Sequence, residues 1–169
     1  MNKLEKLFEL AKNEKINIHW MVLKEIGCLG LTIEKEGLPN IILLDPSLKK
    51  NNYKLIEVLA EELGHHFTSC GNSINSIKTY KDKLDVARCE NKATRWASFT
   101  LVSEEDIINL VNSNVTCFYD MAEILGVNVK TIMKRLEYLS KKKNMLDLRN
   151  GKYLVLTNLP NIYIYEPLL

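Results

Sequence analysis

The spacing of hydrophobic residues predicts a helix, two strands and a long helix in the first part of the chain. Apolar side chains recur at helical spacing over Leu4–Ala11 and then alternate with small or polar residues over Leu29–Glu34. A second strand-like run follows at Ile41–Leu44, after a hairpin-like break. Helical spacing returns over Asn52–Phe67, where the apolar residues share one face. Gly71–Ser73 is expected to end this helix, and a polar loop is expected to follow.

Helical spacing also dominates the middle of the chain. A further long helix is predicted over Val86–Leu101, followed by a shorter one over Glu104–Val111. Ser103 begins a capping-box pattern, in which the serine and a carboxylate three residues later satisfy free backbone N–H groups. The polar run Asn112–Asn114 then marks the best candidate for a domain boundary.

Two short helices and a hairpin are predicted beyond this boundary. The helical patterns Tyr119–Leu125 and Val129–Leu139 are joined at Gly126–Asn128, which is the spacing of a helix-turn-helix. Asn150–Gly151 lies between two alternating runs, and an Asn-Gly pair in this context predicts a hairpin with a type I′ turn. A last strand is predicted at Ile162–Tyr165.

Composition indicates that these elements belong to a soluble folded protein. Apolar residues make up 46% and charged residues 26% of the 169 positions. The apolar runs are far shorter than the ~18 residues that cross a bilayer, and the charged N-terminus has no apolar signal segment. We therefore expect a cytoplasmic protein without a membrane partner. The four cysteines have no Cys-x-x-Cys spacing and are expected to be free thiols.

Charge gives little support for nucleic-acid binding. The chain carries 23 Lys/Arg and 21 Asp/Glu, a net charge of +2. Residues 115–169 hold 8 basic and 5 acidic residues, so any contact with a polyanion is expected there. Candidates for phosphate contacts are Lys130, Lys134, Arg135 and Lys141–Lys143. Basic residues on such a helix are usually a solvated face, and we expect nucleic-acid binding to be weak at most.

The segment with the most chemical content is Leu59–Phe67, within the long predicted helix. Glu61 and His65 are four residues apart and therefore project from the same helix face. Glu62 is the residue after Glu61 and lies beside that face. This is the geometry of a His-Glu-x-x-His helix, in which two histidines bind zinc and the glutamate is the general base. Here the first histidine is a glutamate, whose carboxylate is also an acceptable zinc ligand. The oxygen-rich set shifts the preference among divalent metals.

The next predicted helix offers a third ligand. Glu90 shares a face with Ala93 and Ala97, and these small residues allow the helix to lie close to its neighbour. Two glutamates, one histidine and a water form the open four-coordinate site of catalytic metals. The alternative is that these residues form a solvated helix surface with an ordinary contact between Glu61 and His65.

Two segments together resemble the ImmA/IrrE family of metallo-endopeptidases. They are Ala60–Phe67 and the pattern in which Glu90 is followed by Ala93, Trp96 and Ala97. The resemblance continues through the helical pair around Ala122 to the ending Tyr163–Leu168. It implies a zincin-like α+β domain with a helical C-terminal part. Proteins of this family occur on prophages and conjugative elements, and they cleave a helix-turn-helix repressor.

The resemblance also implies a role for each motif residue. His65 matches the second metal histidine, Glu62 the general base and Glu90 the acidic third ligand. Glu61 stands where the family motif has its first histidine. The implied set is therefore Glu62 as the catalytic residue, with Glu61, His65 and Glu90 as ligands of a divalent metal, Zn²⁺ first and Mn²⁺ as the alternative.

These observations lead to one main expectation and two alternatives. The fold class is expected to be α+β, with a zincin-like peptidase domain over 1–114 that contains a small sheet and the active-site helix. A helix-turn-helix-like region with a β-hairpin, over 115–169, is expected to pack on it. The expected function is cleavage of a phage or mobile-element transcriptional repressor. The alternatives are a winged-helix DNA-binding regulator and a non-catalytic repressor-binding protein with a degenerate peptidase site.

Overall fold

A computed structural model of the chain describes residues 2–68 and 79–167. Over these residues it has six α-helices and two three-stranded sheets. The predicted α+β class is therefore confirmed. The chain divides by packing into two compact units, residues 1–97 and 98–169. This division lies upstream of the boundary predicted at residue 114, because the short helix after Ser103 makes its contacts within the second unit. The predicted end of the long helix at Gly71–Ser73 lies outside the described residues.

The first unit is a small sheet with helices. Its sheet contains β1 (Asn17–Trp20), β2 (Gly30–Ile33) and β3 (Ile41–Leu44) in the order β1-β3-β2. Strand β1 is parallel to β3 and β2 is antiparallel to it, so β2 is an edge strand. The strand β1 was not predicted, because its four residues are mostly exposed and show no alternation. The helices of the first unit are α1 (Lys3–Asn13), α2 (Asn52–Phe67) and most of α3 (Tyr80–Leu101).

Helix α2 lies against β2 and supplies much of the core of the first unit. The Asn51 side chain accepts from the backbone N–H of Lys54 and so begins the helix. Along the helix, Leu59 and Leu63 are fully buried, and Leu55 nearly so. The predicted apolar face of this helix is therefore confirmed. Burial of such a leucine contributes about 1.5–3 kcal/mol, which fixes the rotation of α2 about its axis.

Helix α3 begins earlier than predicted. The periodicity indicated a start at Val86, whereas the helix begins at Tyr80. The reason is a reciprocal cap: Thr79 Oγ1 accepts from the backbone N–H of Asp82, and Asp82 Oδ2 accepts from the backbone N–H of Thr79.

The segment from β1 to β2 crosses the end of β3 and is held there by Asp45. One oxygen of this buried carboxylate accepts from the backbone N–H groups of Leu23 (2.8 Å) and Lys24 (3.2 Å), and the other accepts from Ser47 (2.9 Å). Hydrogen bonds from Ser47 and Leu23 hold the pKa of Asp45 well below its usual range. Asp45 also donates its backbone N–H to the carbonyl of Leu29, which fixes the chain just before β2 begins.

The second unit contains the predicted short helices, which are α4 (Glu104–Asn112), α5 (Phe118–Leu125) and α6 (Val129–Ser140). It also contains an antiparallel sheet of β4 (Met145–Asp147), β5 (Tyr153–Val155) and β6 (Tyr163–Tyr165), in the order β4-β5-β6. The predicted helix ends are confirmed to within a residue, because Gly126 adopts the left-handed conformation (φ 65°) after α5 and Asn128 caps α6. None of the helices in either described stretch has the length and apolar character that a membrane crossing requires.

The hairpin between β4 and β5 is confirmed, but its predicted type I′ turn is wrong. Positive φ occurs at Arg149 (59°) and Gly151 (82°), and not at Asn150. Side chains shape the longer loop: Asp147 accepts from the backbone N–H of Arg149, and Asn150 accepts from that of Lys152.

Candidate active site

A cleft of about 370 Å³ brings together all four residues that the sequence singled out. One side is formed by β2 and the two residues before it, and the other by α2 and the adjacent part of α3. Its lining residues are Cys28, Leu29, Gly30, Leu31, Thr32, Lys54, Val58, Glu61, Glu62, His65 and Glu90.

His65 and Glu90 face each other across the cleft at a distance that suits a shared metal ion. His65 Nε2 lies 3.7 Å from Glu90 Oε1, which is longer than a hydrogen bond. Two ligands at ~2.1 Å from one tetrahedral ion are about 3.4 Å apart, close to the observed distance. The imidazole is 9% exposed, and its buried Nδ1 has no hydrogen-bond partner among the described residues.

Glu61 lines the same cleft but does not complete a ready-made ligand set. It is half-buried, and its Oε1 accepts a long hydrogen bond (3.4 Å) from Thr94 Oγ1 on α3. Within residues 2–68 and 79–167, no three His, Cys, Asp or Glu side chains are arranged as a metal-binding group. The set of three ligands therefore stays a prediction, although its members line one cleft.

The electrostatic environment of Glu62 shifts the pKa of its carboxyl group. The pKa of the Glu62 carboxyl is raised to about 7: burial is the main cause, a hydrogen bond from Thr32 opposes the rise, and the nearby carboxylates of Glu61 and Glu90 add to it. A carboxyl group with this pKa is partly ionised at neutral pH, so it can both accept and return a proton.

The close approach of α2 and α3 is what places Glu90 beside His65. A Cβ at Gly64 would lie only 2.5 Å from the backbone oxygen of Ala93, so the two backbones touch at this point. Glu90 is one helical turn before Ala93, and His65 is the residue after Gly64. The sequence indicated that Ala93 and Ala97 allow close packing, and both are buried. The role of Gly64 was not identified from the sequence. A glycine inside a predicted helix is the sequence signal that could have indicated a close helix contact.

Two further cleft residues were not identified from the sequence, and both are on β2. Thr32 is buried and contacts Glu62, while Gly30 leaves the space that the Glu62 side chain occupies. A threonine and a glycine two residues apart are ordinary in a strand, and only the packing of β2 on α2 shows what they do. Cys28 lies two residues before the start of β2. Burial and the charge of Glu62 raise the pKa of its thiol.

His66, adjacent to the cleft histidine, belongs to a different cluster. Its Nδ1 lies 2.9 Å from Glu34 Oε1 and 3.1 Å from Asn40 Nδ2, and its Nε2 lies 3.9 Å from Glu14 Oε2. These contacts tie the last turn of α2 to the strand segments and to the end of α1, and they leave His65 as the histidine that faces the cleft.

The basic residues proposed for phosphate contacts are mostly engaged within the second unit. Lys134 and Lys141 both form ion pairs with Glu137, and Lys143 pairs with Glu104. Arg135 is 2% exposed, which contradicts its suggested role at a phosphate. The guanidinium faces inward because its Nε donates to the carbonyl of Val102 (2.7 Å), and it lies 3.8 Å from the centre of the Phe99 ring.

We expect Arg135→Ala to destabilise the second unit by about 2 kcal/mol or more, because the Val102 carbonyl would lose its charged donor and a cavity would form. Lys134→Ala is the matched control, since its exposed ion pair contributes about 0–1 kcal/mol. Urea unfolding followed by circular dichroism measures both changes. Equal midpoints for the two variants would contradict a structural role for Arg135.

Comparison with protein-family models, with curated proteins and with solved structures found no match to this chain. The resemblance to a metallo-endopeptidase family therefore depends on the motif residues themselves and stays a prediction.

Proposed function

We propose that this chain is a metal-dependent endopeptidase whose active site is the cleft between β2, α2 and α3. The observation that carries the proposal is the pairing of His65 with Glu90 at 3.7 Å, in a cleft that also contains Glu61 and Glu62. His65 is buried, and the Glu90 side chain beside it is 54% exposed. Three carboxylates in one cleft repel one another, and a bound cation offsets that repulsion.

The side chains of the cleft fit a divalent cation. Imidazole nitrogen and carboxylate oxygen are ligands of Zn²⁺, and a carboxylate-rich set also suits Mn²⁺. His65 and Glu90 would hold the ion, with Glu61 as the third ligand. A bound cation of this kind polarises the scissile carbonyl and lowers the pKa of water.

Glu62 performs the proton transfers of the proposed reaction. It accepts a proton from the attacking water as the oxygen–carbon bond forms. It then gives that proton to the nitrogen of the leaving amine as the carbon–nitrogen bond breaks. One water is consumed, and Glu62 returns to its ionised state. Its pKa of about 7 suits both halves of this cycle at neutral pH.

The edge strand β2 supports a peptide as the substrate. It pairs with β3 on one side, and residues 29–32 line the cleft. An edge strand presents unpaired backbone N–H and C=O groups, to which an extended peptide adds as a further strand. Leu29, Leu31 and Val58 give the same cleft an apolar part that suits an apolar side chain.

The proposed substrate is a helix-turn-helix repressor encoded by a phage or mobile element, cleaved in the cytoplasm. This part of the proposal comes from the family resemblance of the motif.

Metal binding tests the proposal directly. We expect the purified protein to bind one Zn²⁺ or Mn²⁺, and His65→Ala to lose that binding because the only imidazole among the predicted ligands is removed. His66→Ala is the matched control, since it removes the neighbouring histidine that contacts Glu34 instead. Isothermal titration calorimetry measures the affinities. Unchanged affinity in His65→Ala would contradict the ligand assignment.

A second candidate function is binding of a repressor without cleavage. The observation that favours it is that no three ligands are preassembled in the described part of the chain, with Glu61 at the position of the motif's first histidine. The two functions separate in one assay. Release of fluorescent fragments from labelled β-casein with Zn²⁺ or Mn²⁺ supports the peptidase, and no release with either metal supports the binding protein.

A further inference from the structure

We propose that Thr32 is a positioning residue for the general base, holding one oxygen of Glu62 so that the other faces the reaction. This inference rests on the proposed peptidase function and adds to it a residue outside the metal motif. Thr32 is on β2, a strand in which the sequence analysis identified no functional residue.

The contact between Thr32 and Glu62 is short and partly buried. Thr32 is 7% exposed, and its Oγ1 lies 2.8 Å from Glu62 Oε2 and 2.9 Å from the Glu62 backbone oxygen. A threonine hydroxyl has one proton to donate, and both acceptors belong to the same residue. Either bond ties Glu62 to β2, and the bond to Oε2 fixes the carboxyl group itself.

The other carboxyl oxygen is directed toward Gly30. A Cβ built at Gly30 would lie 2.6 Å from Glu62 Oε1, so this oxygen occupies the space that a side chain would fill. Gly30 and Thr32 are two residues apart on one strand and therefore present the same face to α2. Both are cleft residues. With Oε2 held by Thr32, Oε1 is the oxygen left to accept the proton from water.

This division between the two oxygens persists through the reaction cycle. When Oε1 carries the proton, Oε2 is the carbonyl oxygen of a carboxylic acid and still accepts from Thr32. The hydroxyl therefore keeps the carboxyl group in one orientation in both charge states. A base that must accept and then return a proton within one turnover benefits from such a fixed orientation.

The test compares Thr32→Val with Thr32→Ser. Valine has the shape of threonine without the hydroxyl, and serine restores the hydroxyl. With β-casein and the protein loaded with Zn²⁺ or Mn²⁺, we expect Thr32→Val to lower kcat by about 10- to 100-fold. KM, metal affinity and thermal midpoint are expected to stay near wild type, and Thr32→Ser to recover most of kcat. Thr100→Val, at an exposed position of α3, is the matched control.

Each outcome decides between the hypotheses. Wild-type kcat in Thr32→Val overturns the positioning role, and so does an equal loss in Thr32→Ser. If Thr32→Val and Thr32→Ala both lose metal affinity or fail to fold, Thr32 is a structural residue. That result also overturns the positioning role. If the wild-type protein releases no fragments from β-casein with Zn²⁺ or with Mn²⁺, the proposed function is overturned, and this inference with it. That failure is recognised before any variant is made.

Discussion

Replacement of Glu62 by Gln is expected to lower peptide cleavage by ~10²-fold or more while leaving metal affinity unchanged. Glutamine keeps the size of the side chain and an oxygen that accepts from Thr32, so the packing against β2 is preserved. It cannot accept a proton from water at neutral pH, because an amide has no basic oxygen in this range. The loss is therefore expected in kcat and not in the affinity for the metal.

The assay is hydrolysis of labelled β-casein by metal-loaded protein, with calorimetry for the metal. Glu9→Gln is the matched control, because it makes the same chemical change on an exposed position of α1 in the same unit. Wild-type hydrolysis in Glu62→Gln would contradict the assignment of this residue as the base. A parallel loss of metal binding would instead place Glu62 among the ligands.

The helices of this fold could be predicted from sequence, because their signals are local. The apolar face of α2 and the capping box at Ser103 were recognised from spacing, and both are present. The strand β1 could not be predicted in this way. Its few residues pair with β3, which is distant in the sequence, and three of the four are exposed. Its strand conformation therefore depends on a partner that no local pattern reveals.

The candidate site shows the same division between local and distant information. Glu61, Glu62 and His65 could be found together because they are within one helical turn. Glu90 could be identified on a second helix because it shares a face with two alanines, which indicate close packing. The contributions of Thr32 and Gly30 depend on how β2 lies on α2, and a strand of four ordinary residues gives no sign of this before the fold is known.

The point where α2 touches α3 is expected to be the part of the site most sensitive to added volume. In an exposed helix, alanine is more favourable than glycine by about 1 kcal/mol. At Gly64 the sign is expected to reverse, because the added Cβ would lie 2.5 Å from the Ala93 oxygen and 2.9 Å from its Cα. Backbone atoms cannot move away by changing a rotamer. We therefore expect Gly64→Ala to destabilise the protein by about 1–3 kcal/mol.

The same substitution is expected to weaken the site, since relief of the clash requires α3 to move by about 1 Å. That movement separates Glu90 from His65, and misplacement on this scale costs about 10²-fold in activity. Urea unfolding and metal titration measure the two effects, with Lys92→Ala on the exposed side of α3 as the control. Adding Ala93→Gly is not expected to rescue the variant, because the clashing atoms belong to the backbone. A Gly64→Ala protein with wild-type stability and metal affinity would show that the helix contact does not position Glu90.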